Sequence, residues 1–176
     1  MRKLSRFLFL LEIVPLLVFV AIRALGLDMT QRILVAGSCA LAALVLLRVL
    51  RVAYTPLFFA TNVFFIFAAS LLLSPFDGLS AFFLYLGEVG MFVTILLIGF
   101  VWLLSQDAGL FHPSTAAGIK HKRYSWLLLL VYAACLPIAW TFKGNENLAG
   151  ALPFMMITVA EKLFYHLQLR EIKRAA

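Results

Sequence analysis

The sequence has few acidic residues and almost no cysteine. Eight Asp and Glu stand against fifteen Lys and Arg in 176 residues, and there are two cysteines. Neither Cys39 nor Cys135 belongs to a CxxC pair or has a His at metal-ligand spacing, so no disulfide framework, zinc site or dithiol motif is predicted. Both lie inside apolar runs, where we expect them to pack as small side chains.

Signature motifs of enzymes are missing as well. The chain has no HExxH, G-x-S-x-G or P-loop motif, and its Ser, His and acidic residues are too scattered for a nucleophilic triad. His112 and His121 are loop residues far along the chain from His166, which argues against a haem or metal site. We therefore predict no catalytic residue, cofactor or metal. An intramembrane enzyme whose site is assembled from several helices stays an open alternative.

Apolar residues dominate the composition. They make up 64% of the chain, with a mean hydropathy of +1.03, whereas soluble domains are about 45–50% apolar. About 20 apolar residues cross the hydrocarbon core, and about six such runs use most of the chain. We predict an all-α polytopic membrane protein, one integral domain over residues 1–176. The predicted spans are residues 7–27, 33–52, 56–73, 79–104, 124–142 and 148–167.

Lys and Arg crowd into every second gap between these runs. The basic groups are Arg2, Lys3 and Arg6; Arg48 and Arg51; Lys120, Lys122 and Arg123; and Arg170, Lys173 and Arg174. This alternation follows the positive-inside rule and predicts that both termini are cytoplasmic. The compact loops favour a bacterial inner membrane. Because the basic residues flank spans, we expect them to contact anionic lipid, and nucleic acid is not a predicted partner.

Local composition adds detail to the first three spans. The first run follows basic residues as a signal peptide would, but it lacks a small-x-small cleavage site, so we expect a retained helix with a bend at Pro15. Small residues over 36–40 predict close contact between the second span and another helix. The third span is expected to start at Pro56. Its phenylalanines are expected to face lipid; they are Phe58, Phe59, Phe64, Phe65 and Phe67.

Ionisable groups inside spans are the best pointers to function, because a charge in hydrocarbon costs several kcal/mol. Glu88 lies deep in the fourth predicted span, so it needs to be protonated, paired or next to water. Glu161 and its neighbour Lys162 point to different sides of a helix, so Glu161 needs a partner on another helix. The candidate intramembrane polar site consists of Glu88, Glu161, Arg48, Arg51, Asn62 and Glu12.

Two roles for this candidate site are open: hydrogen bonding between helices, and binding of an ion or substrate. For Glu161, Arg48 or Arg51 is the candidate partner. Glu12 lies close enough to the start of its span to reach the cytoplasmic interface instead. Glu12 and Glu88 are each followed by a helix breaker, Pro15 or Gly90, which is compatible with an inverted repeat of the kind found in transporters.

The run Ile13-Val14-Pro15-Leu16-Leu17-Val18-Phe19 resembles the start of the bacterial inner-membrane septation protein A family. The specific match is confined to this run, and Ala116-Ala117-Gly118-Ile119 stands where the family has a leucine-threonine-leucine-proline stretch. The resemblance implies a non-enzymatic role in cell-envelope maintenance through contacts with other membrane proteins, and it transfers no catalytic residue.

We therefore predict a small inner-membrane protein that acts in envelope maintenance or membrane-complex assembly. Its predicted partners are membrane lipids and other inner-membrane proteins or a second copy of itself. The alternative is a transporter of ions or small solutes, or the membrane-embedded substrate-binding subunit of one, for which a small-molecule ligand is required.

Overall fold

The computed structural model describes residues 13–51, 54–106, 109–111 and 122–175, and this part of the chain is helical without a strand. The all-α class is therefore confirmed. A short π-helical segment, Glu146–Ala151, precedes the last helix. The helices are α1 (Ile13–Leu25), α2 (Met29–Val49), α3 (Pro56–Leu72), α4 (Asp77–Leu86), α5 (Glu88–Ser105), α6 (Arg123–Thr141) and α7 (Leu152–Ala175).

Within the described residues, four helical stretches could cross a membrane by length and composition: Met29–Val49, Glu88–Ser105, Arg123–Thr141 and Asn147–Glu171. Shorter apolar helices form at Ile13–Leu25, Pro56–Leu72 and Asp77–Leu86. The length and apolar composition of these helices are compatible with a membrane protein. The chain divides into two compact units, Met1–Leu86 with α1 to α4 and Gly87–Ala176 with α5 to α7.

In the first unit, α2 and α3 pack closely where small residues allow it. Ala36 and Ala40 are fully buried, and Gly37 lies so close to α3 that an added Cβ would be 2.5 Å from the Cβ of Ala69. This confirms that the small-residue stretch faces a helix. The Asp28 side chain caps α2 by accepting from the Gln31 N–H at 2.7 Å, so α2 begins at Met29, before the predicted residue 33.

The prediction for the third span is correct in its start and wrong in its lipid-facing surface. Helix α3 begins at Pro56, because the missing N–H of proline costs nothing in the first turn. Phe58, Phe64 and Phe65 are buried, whereas Phe67 is 50% exposed. The buried rings pack within the unit, as the 5.2 Å separation of the Phe64 and Phe83 ring centres illustrates.

The prediction of one continuous helix over residues 79–104 is wrong. Gly87 adopts φ 54° and ψ −128°, a conformation outside the helical region that glycine reaches because it has no Cβ. The chain is therefore broken into the 10-residue helix α4 and the 18-residue helix α5. Glu88, placed deep inside a helix by the sequence prediction, instead occupies the first turn of α5.

The second unit is held by contacts between helix side chains and backbone. Lys122 donates from Nζ to the Leu103 carbonyl at 2.8 Å, which places a cation at the C-terminal end of α5, where the helix dipole favours it. The Cys135 thiol donates to the Pro153 carbonyl with a sulfur–oxygen distance of 3.6 Å. Helix α6 thus contacts the preceding helix at its start and α7 further along.

Candidate functional site

Glu161 lies on the inner side of α7, half-buried and within electrostatic range of the Tyr132 phenol of α6. The ring of Tyr132 is buried against α5, where an added Cβ at Gly99 would be 3.0 Å from its Cε2. Three helices therefore meet at this point, and the absence of a side chain at Gly99 makes room for the ring. A carboxyl and a phenol side by side in a helix bundle can exchange hydrogen bonds or hold a proton.

Lys162 is exposed although its neighbour Glu161 is half-buried. Successive residues of a helix differ by about 100° in direction, so the two side chains leave α7 on different sides, as the sequence predicts. The suggested partners of Glu161, Arg48 and Arg51, belong to the first unit, where both are exposed. Their pairing with Glu161 stays a prediction.

Glu88 is half-buried and packs beside the π-helical segment, since an added Cβ at Gly150 would be 3.7 Å from its Cγ. Gly150 precedes α7, and from Leu152, the first residue of α7, to Glu161 the helix rises by about 14 Å. The two acids of the second unit thus lie at different levels of the bundle rather than beside one another. Within the candidate polar site, Glu88 at the helix break and Glu161 beside Tyr132 are therefore two separate positions.

Asn62 is buried in α3. Its neighbour Thr61, buried too, donates from Oγ1 to the Leu57 carbonyl of its own helix at 2.9 Å. A threonine hydroxyl can donate in this way to a carbonyl of its own helix, so Thr61 needs no hydrogen-bond partner on another helix. Asn62 and Thr61 belong to the first unit, apart in sequence and unit from Glu88 and Glu161. Glu12 lies outside the described residues, as do His112 and His121.

Arg32 is not among the residues predicted for the site, yet it is only 5% exposed. Its Nε donates to the Phe19 carbonyl at 3.3 Å, and its guanidinium carbon lies 4.3 Å from the centre of the Phe19 ring. Arg32 therefore ties α2 to α1 through a hydrogen bond and a cation–π contact. Asp28 and Gln31 form a capping box that signals a helix start before Arg32, so the sequence held the clue that this arginine is helical.

A second missed feature follows α5, in a region predicted as a polar loop. Leu110 and Phe111 are buried, and the Leu110 N–H donates to the Ser125 hydroxyl of α6 at 3.1 Å. Gly109 has φ +67°, and a Cβ there would overlap with the Ser125 hydroxyl oxygen. Glycine is required here both for the backbone angle and for the close approach. Residues 109–111 are packed within the second unit, and Phe111 lies near Tyr165 of α7.

Within the described residues, no group of three or more His, Cys, Asp and Glu side chains is arranged to hold a metal ion. His166 is exposed on α7. In comparisons with known proteins, no family model matches the chain, and no curated protein or solved structure is significantly similar to it. The function proposed below therefore depends on the sequence pattern and on the geometry of the chain itself.

Proposed function

We propose that the chain is a bacterial inner-membrane protein with about six crossings and cytoplasmic termini. Four helical stretches have the length and apolar character for a crossing. Helix α3, with 17 residues, is about 26 Å long and close to the thickness of the hydrocarbon core. The remaining crossing is assigned to α1, and α5 supplies the crossing predicted within residues 79–104.

Reporter fusions test this topology. A cytoplasm-dependent reporter fused after Ala176 is expected to be active, and one fused after Gly144, in the turn between α6 and the π-helical segment, is expected to be inactive. A periplasm-dependent reporter is expected to give the opposite pattern at both sites. Activity of the periplasmic reporter after Ala176 would remove the proposed orientation.

Within this membrane, we infer a non-enzymatic role in envelope maintenance or complex assembly through contacts with other proteins. The observation that supports it is how polar side chains are used: Arg32 and Lys122 donate to backbone carbonyls, of Phe19 and Leu103 respectively. Such bonds stabilise a bundle rather than build a reaction centre. The resemblance of residues 13–19 to the septation protein A family supports the same role.

Purification in mild detergent followed by native mass spectrometry tests this role. A stoichiometric protein partner, or a defined oligomer of the chain, is the expected result. Glu161→Gln should lower partner retention or stability while the protein still inserts, and Lys143→Gln, in the turn after α6, is the control. A chain that purifies only as a bare monomer would contradict the proposal.

The alternative, a transporter of ions or small solutes, is favoured by a specific observation. The helix break at Gly87 puts Glu88 next to a π-helical segment, and both broken and π-helical turns are common where membrane helices form functional sites. In a second form of this alternative, the chain is the membrane-embedded substrate-binding subunit of a larger transporter and therefore has a further protein partner.

Uptake measurements in sealed vesicles separate the two functions. If the protein transports, Glu88→Gln should abolish proton- or ligand-dependent uptake without affecting insertion, and a small molecule should remain bound during purification. If it acts through partners, vesicles with the wild-type chain and vesicles with Glu88→Gln should both show the flux of empty vesicles. The substitution should then alter only stability or partner retention.

A further inference from the structure

The exposed face of α7 changes character along its length. Towards its start the face is apolar: Met155 and Val159 are each 64% exposed, and Leu163 is 53% exposed. From Lys162 onward the same face also carries basic side chains. Its exposed cationic or ionisable side chains are Lys162, His166 and Arg170.

These residues form one continuous surface. At about 100° per residue, the exposed positions from Met155 to Arg170 fall within an arc of about 120°, with Glu161 on the opposite side. The span containing α7 is also the least buried of the four candidate spans, with 17% of its apolar window buried against 33–39% for the others. Among the described residues of the second unit, none buries this face of α7.

A face that is apolar for about two turns and then basic matches the profile of one membrane leaflet. Acyl chains cover apolar side chains, and the phosphate of an anionic headgroup attracts Lys and Arg. Lys162 and Arg170 are about 12 Å apart along the helix. The long side chain of Lys162 can extend towards the headgroup region, so Lys162 and Arg170 can both contact the headgroups of the same leaflet.

We propose that this face, named here the α7 lipid face and formed by Met155, Val159, Lys162, Leu163, His166 and Arg170, binds an anionic phospholipid. The acyl chains lie along Met155, Val159 and Leu163, and the headgroup phosphate contacts Lys162, His166 and Arg170. Assignment to the cytoplasmic leaflet rests on the proposed orientation, whereas the preference for an anionic headgroup does not.

Native mass spectrometry of the full chain in detergent, titrated with phosphatidylglycerol or phosphatidylcholine, tests the proposal. The wild-type chain is expected to bind phosphatidylglycerol more tightly. Removing the two permanent cations in Lys162→Gln/Arg170→Gln should weaken phosphatidylglycerol binding by about 25-fold, or about fivefold for each. Lys143→Gln, at the other end of the bundle, removes a charge outside this face and should leave the affinity unchanged.

The apolar part and the source of the phosphate are tested separately. Val159→Asn should weaken the binding of phosphatidylglycerol and of phosphatidylcholine to a similar extent. Inorganic phosphate should not compete with phosphatidylglycerol for the face. An unchanged lipid preference in the double variant, or full competition by inorganic phosphate, would overturn the proposal. A protein partner lost in the double variant while lipid preference persists would overturn it too. A reporter after Ala176 found outside would refute only the assigned leaflet.

Discussion

Substituting Gly37 by alanine tests how closely α2 and α3 approach. The added Cβ would lie 2.5 Å from Ala69 Cβ and 2.8 Å from the Phe65 carbonyl oxygen. Carbon atoms in contact prefer about 3.5–4.0 Å, so the helices would have to separate by about 1 Å. A side-chain rotation cannot relieve this overlap, because the close atoms are a backbone oxygen and a Cβ fixed to the backbone.

The expected magnitude follows from two opposing effects. Overpacking of a well-packed core costs about 1–3 kcal/mol, and the fixed neighbours here place Gly37→Ala at the upper end. The better helix propensity of alanine offsets up to about 1 kcal/mol of this overpacking cost. We therefore expect a net loss of about 2 kcal/mol in the free energy of unfolding, measured by steric trapping in bicelles.

Gly78→Ala is the matched control, because Gly78 is also helical and a Cβ there meets nothing within 4 Å. It should be neutral or slightly stabilising. In the double variant Gly37→Ala/Ala69→Gly, the nearest carbon is gone but the Phe65 oxygen remains, so only part of the loss should return. Equal stability of Gly37→Ala and Gly78→Ala would refute the close approach of the two helices.

Three further substitutions test contacts within each unit. Arg32→Gln should lower the free energy of unfolding by about 1–3 kcal/mol, since the Phe19 carbonyl loses a charged donor. Phe19→Leu keeps that carbonyl and should cost less, and equal losses in the two variants would contradict the hydrogen bond. Ser125→Ala removes the acceptor of the buried Leu110 N–H and should make a cysteine at position 110 more reactive to maleimide; unchanged labelling would argue against that bond. Gly109→Ala should lower the thermal midpoint in detergent more than Ser125→Ala does, because it adds a strained backbone angle to a steric overlap; a smaller shift would contradict the required glycine.

The sequence predicts the helices well where a local rule acts alone. The first-turn proline at Pro56 and the small residues around Gly37 each depend on a single steric reason, and the structure agrees with both. The fourth span shows where such rules fail. Gly87, Gly90 and Gly99 all interrupt the predicted apolar run, but only Gly87 has a positive φ. A glycine permits a break without requiring one, so tertiary packing decides which glycine is used.

The candidate site was predictable to the extent that it depends on helix geometry. Adjacent Glu161 and Lys162 must point in different directions, and the structure puts the acid near Tyr132 and the lysine on the exposed face. What surrounds Glu161 was not predictable, because Tyr132 and Gly99 lie on other helices and carry no charge that marks them. The same geometry divides α7 into an inner side that packs in the bundle and an outer side that changes from apolar to basic. The excess of basic residues thus has two consequences along this helix: it indicates orientation, and it provides the cations with which α7 can bind an anionic headgroup.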